Sequence, residues 1–173
     1  LSLPAALPIF PVETVKVAES TIRSAESIYP YYQEHSPRNR TQAVALAAGQ
    51  LVKSLNSKPI VITSTGRAAF EVSRVRPENS VLVFSHDEAV LQKMCLGWGL
   101  YPIGVVPPER DVATLVGMLI NAVLDSGMVQ DDDVVTIVHG VLPGVSGTTN
   151  TIQDRKSNSE LQSRRNLVCR LLL

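Results

Sequence analysis

The stretch PIVITSTGRAAFEVSRVRPENSVLVF, residues 59–84, decides the fold. Residues 59–63, PIVIT, form a short apolar run of strand length, and residues 81–84, VLVF, form a second. Between them, residues 66–76 are predicted to form a helix that begins at Gly66. Strand, helix and strand at this rhythm define a βαβ unit and a parallel sheet. Neither run alternates between apolar and polar residues, which is the pattern of strands covered on both faces.

The same rhythm continues outward. Asp87 to Leu96 is predicted as a helix with Ser85 as its N-cap. Residues 101–106 read as a strand, and Arg110 to Ser126 as an amphipathic helix with Gly127 just past its end. Residues 134–138, VVTIV, are a further strand. Upstream, Thr41 to Leu55 reads as a helix whose alanines allow close packing, ended by Asn56 and Ser57. The expectation is a three-layer α/β domain over residues 36–152, with right-handed crossovers and a mostly parallel sheet of about five strands.

The flanks differ in character. Pro11 to Ile28 carries Val12, Val15, Ile22 and Ala25 at helical spacing, with Pro11 and Glu13 suited to a first turn and Pro30 a stop. A polar connector, YPYYQEHSPRNR, follows and marks a boundary. Residues 1–9 read as a scar, a truncated edge or the end of a loop, because a signal peptide needs a charged start and a longer apolar run. Residues 153–173 are an atypical tail; past Asn150 the chain reads as a final strand with a loose end, or as a short helix.

Composition narrows the function classes. Sixteen basic and sixteen acidic residues cancel, so no basic excess points to nucleic acid. No apolar run approaches the roughly 18 residues of a membrane span. Cys95 and Cys169 are too few and too distant for a disulfide scaffold, and His35, His86 and His139 lack metal-ligand spacing. A reducing, cytoplasmic setting is expected, with no metal site in this chain. Asp131-Asp132-Asp133 lies in a turn before a strand and reads as a solvated loop. No Ser/His/Asp or Cys/His arrangement is present, nor the carboxylates and cationic clamps that phosphoryl transfer needs, so no catalytic residue is assigned.

Two constellations suit an anion. Thr63-Ser64-Thr65-Gly66-Arg67 leaves a strand and opens a helix, where free N–H groups and the helix dipole favour negative charge. Arg67 can add a charge-assisted contact to phosphate. The same residues also read as ordinary capping by Ser64 or Thr65 with Arg67 solvated. Gly140 to Asn150, GVLPGVSGTTN, leaves another strand end, and ligands of open α/β sheets bind outside such ends. That loop reads equally as a flexible hairpin.

From Phe10 to Asn150 the chain resembles pyruvate kinase. FPVETVKVAE is similar to the family's YPVEAV segment, the last helix of its catalytic barrel. ITSTGRAAFEVSRVRP resembles its Ser-Gly-Arg-Thr turn, helix and Ser-Arg-x-Arg-Pro run; WGLYPIGV and SGMVQDDDVVTIVHGVLPGVSGTTNT resemble its closing segments. The resemblance implies an enzyme that moves phosphate from phosphoenolpyruvate to ADP, uses magnesium and potassium, and works as a homotetramer. This chain would be its C-terminal regulatory domain together with the last barrel helix and connector (residues 10–35). The catalytic lysine and the magnesium and potassium ligands would lie on barrel segments this sequence lacks, so kinase activity is not expected of it alone. In such domains Thr63, Ser64, Thr65, Gly66 and Arg67 would hold the phosphate of a sugar-phosphate or nucleotide effector. The loop of Gly140, Pro143, Gly144, Ser146, Gly147 and Thr148 would close over it. The alternative is a stand-alone module binding a phosphorylated metabolite, against which the apolar face of residues 11–29 argues. Where the family turn continues with Ser or Thr, this chain has Ala68, which tilts the expectation toward subunit assembly.

Overall fold

Among the described residues, five strands form one sheet in the order β3-β2-β1-β4-β5. They are β1 (Lys58–Ile62), β2 (Val81–Ser85), β3 (Leu100–Val105), β4 (Val134–Gly140) and β5 (Thr149–Lys156). The computed structural model describes residues 3–28, 36–109, 111–140 and 149–156, and the chain divides into two units, Leu1–Tyr31 and Tyr32–Leu173.

The sheet belongs to the second unit. β1 pairs in parallel with β2 and β4, β2 pairs in parallel with β3, and only β5 runs antiparallel, against β4. The burial of each strand follows its place. β1 and β2 are buried almost throughout, while the edge strands β3 and β5 are partly exposed.

Helices cover both faces. On one side α3 (Arg40–Leu55), α4 (Arg67–Arg74) and α5 (Glu88–Met94) supply Ala45, Ala48, Ala69, Val72 and Met94, which pack on Val61, Val83 and Val138. On the other side, among the described helices, α6 (Val112–Asp125) supplies Leu115, Val116, Leu119, Ile120 and Val123, over Ile60, Leu82, Phe84 and Ile137. Strand alternation sorts the two sets: neighbouring residues of one strand feed opposite layers. The topology explains why α6 sits apart. From β1 to β3 the chain steps one way along the sheet, and from β3 to β4 it steps back. A crossover of the same hand that reverses direction must pass over the opposite face.

Side-chain caps set the starts of α3, α5 and α6. Asn39 caps α3 by accepting from Gln42 N at 3.0 Å. Asp87, not Ser85, caps α5, accepting from Ala89 N at 2.9 Å. Ser85 instead ends β2, fully buried, and its Oγ accepts from Asp87 N. Asp111 caps α6 through Thr114 N at 2.9 Å. At the far ends, Asn56 and Gly127 take left-handed φ of 48° and 71°, closing α3 and α6.

The described residues of the first unit form two helices, α1 (Leu3–Ala6) and α2 (Pro11–Glu26). Residues 3–6, within the segment read as a scar, a truncated edge or a loop end, thus form a short helix. In α2, Pro11 stands in the first turn with Glu13, and Thr14 is its buried residue. At the other end of the chain, β5 continues to Lys156, four residues beyond the expected boundary at 152, and its antiparallel ladder with β4 accounts for it. Past Lys156 the chain, with Cys169, lies outside the described residues, as does His35.

Candidate functional site

The sheet order reverses between β1 and β4, and that is where a ligand crevice opens in a doubly wound fold. Val61 and Val138 are register partners. Two residues further along come Thr63, just past β1, and Gly140, the last residue of β4, so the two predicted segments leave adjacent strand ends at the same level. The sequence placed both at strand ends; only the sheet order makes those ends neighbours.

The turn after β1 is built tightly. Thr63 is buried, its N–H donates to Phe84 O at 3.0 Å, and its Oγ1 accepts from Gly66 N at 2.9 Å. Thr63 thus secures the turn from within and does not present its hydroxyl outward. Ser64 is half-buried, and Thr65 and Arg67 are exposed. Gly66 has φ of +86°, where a side chain costs about 1–2 kcal/mol of backbone strain. A Cβ there would also run into the Met94 methyl, with the Met94 sulfur at 3.3 Å. Met94 lies 28 residues away in sequence, and no local pattern pointed to it.

Gly66 is the N-cap of α4, and no side chain caps this helix. The capped starts of α3, α5 and α6 differ in that respect. Neither Ser64 nor Thr65 takes the capping role that sequence reading kept open. The first-turn N–H groups of α4 therefore carry the positive end of its dipole without a local side-chain acceptor. Arg67, the first helical residue, makes no salt bridge among the described residues. Ala68 and Ala69 face inward and join the apolar layer.

On the β4 side, the strand ends at half-buried Gly140. The ladder with β5 shifts register between His139 and Gly140, and His139 Nδ1 lies 3.0 Å from the Gly140 carbonyl oxygen. Pro143, Gly144, Ser146, Gly147 and Thr148 lie outside the described residues. The Asp131–Asp133 turn is mostly exposed, with Asp132 at φ of +73° and Gln130 N donating to Asp133 Oδ2 at 2.9 Å. Among the described residues no group of three or more His, Cys, Asp or Glu converges as a metal site would require. Also among the described residues, no helix is long and apolar enough to cross a membrane.

Residues 42–153 match the family model for the alpha/beta domain of pyruvate kinase. This chain belongs to the pyruvate kinase alpha/beta domain family. It is 28% identical over 151 residues to a pyruvate kinase of Clostridium acetobutylicum, covering 83% of this chain and 32% of that protein. To pyruvate kinase 2 of Synechocystis sp. it is 32% identical over 158 residues, covering 88% and 26%. To a pyruvate kinase of Staphylococcus haemolyticus it is 27% identical over 152 residues, covering 84% and 26%. The chain thus spans about a third or less of the length of these pyruvate kinases. The family match falls on the second unit and includes β1, the α4 turn and the β4 end.

Proposed function

We propose that this chain serves a pyruvate kinase as its C-terminal regulatory and assembly domain, with the transfer of phosphate from phosphoenolpyruvate to ADP carried by barrel residues outside this sequence. The observation that carries the reading is the start of α4: a helix entered through a left-handed glycine, without a side-chain cap, level with the end of β4 where the sheet order reverses. Backbone N–H groups there suit a phosphate, and Arg67 adds a cation beside them. Ser64 and Thr65 supply hydroxyls, and the 140–148 segment is assigned to the same ligand. Magnesium and potassium belong, on this reading, to the barrel. The chain works in a cytoplasmic homotetramer, and α2 packs on the barrel as its last helix.

Thermal unfolding of the chain with fructose 1,6-bisphosphate, ribose 5-phosphate, glucose 6-phosphate or AMP tests effector binding. A ligand held only by the native state, at a hundredfold excess over its Kd, stabilises by about 2.7 kcal/mol. The expected result is a rise in Tm with at least one of them, abolished by Arg67→Ala. A folded chain that responds to none would leave assembly as the role, the reading that Ala68 favours by placing a methyl in the core where the family carries a hydroxyl. Turnover of phosphoenolpyruvate and ADP by these residues alone, with magnesium and potassium, would overturn the assignment of catalysis to the barrel.

A further inference from the structure

We draw no further inference here: the strongest candidate, the buried imidazole of His139 at the carboxyl end of β4, whose Nε2 has no hydrogen-bond partner among the described residues, shares by strand alternation the apolar face of Val135 and Ile137 beneath α6 and not the face of the Thr63–Gly66 turn, and nothing in the structure shows what ligand would reach it.

Discussion

Helix α2 is 16 residues long and α6 is 14, and both carry apolar side chains at three- and four-residue spacing. Their surroundings differ. α6 buries Leu115, Val116, Leu119, Ile120 and Val123 over the sheet, whereas α2 buries Thr14 and leaves Val12, Val15, Val17 and Ile22 each more than half exposed. The periodicity of a helix reports that it owns an apolar face. It does not report what covers that face. Helices of this length are marginal in water by themselves and take most of their stability from packing. The same kind of pattern therefore gives a fixed element in one unit and a bare one in the other.

The largest expected effect follows directly. Leu119 is fully buried, and Leu119→Ala should cost about 2–5 kcal/mol, read as a lower midpoint in denaturant unfolding. The matched change in α2, Val15→Ala, should stay within about 0.5 kcal/mol. A Val15 loss as large as that of Leu119 would mean that the α2 face is covered in solution, and the contrast would fail.

A second contrast lies between the start of α4 and the capped starts of its neighbours. Gly66→Ala forces a left-handed φ on a residue with a Cβ and should cost about 1–2 kcal/mol. Met94 ends in a flexible methyl, so in a Met94→Ala background, itself a costly core change, Gly66→Ala should still cost nearly as much, with little recovery, if the strain is in the backbone. Full recovery would show that the collision dominates. Asn39→Ala removes a side-chain cap and should cost about 1 kcal/mol, measurable by the same unfolding curves.

The smallest effect is a pH dependence. Hydrogen bonds from the Thr114 hydroxyl and N–H hold the Asp111 carboxyl below its ordinary value. A depressed folded pKa contributes stability above the unfolded value of 3.8, and that contribution is lost as pH falls through the folded value. Asp111→Asn should flatten the stability curve below that point and lower stability slightly near neutrality, where the carboxylate's contribution is fully present. A flat curve in the unsubstituted protein over the same range would show that the cap is not ionised when it acts.

Particular residues show how far the sequence could be read. The apolar runs at 59–63 and 81–84 marked β1 and β2 within a residue of their ends, because strands covered on both faces leave a continuous signature. The cap of α5 was harder. Ser85 and Asp87 both have suitable side chains, and which one caps depends on where β2 stops. Ser85 remains a strand residue because its backbone pairs with Val105 of β3, a partner 20 positions away. The end of β5 was also beyond local reading. TNTIQDRK is polar and non-periodic in its second half, and the β4 ladder holds it extended.

Local chemistry alone determined that this chain forms βαβ units and that a helix opens at Gly66 after Thr63. Those properties depend on residues within a few positions of each other. Tertiary structure decided which strands are neighbours, that among the described helices α6 covers one face and α3, α4 and α5 the other, and that the Thr63–Arg67 turn leaves the sheet level with Gly140. It also turned the Thr63 hydroxyl inward to its own turn and set Met94 against Gly66. The reason is that strand order and packing are long-range pairings, selected by the joint burial of two apolar layers that no single segment contains.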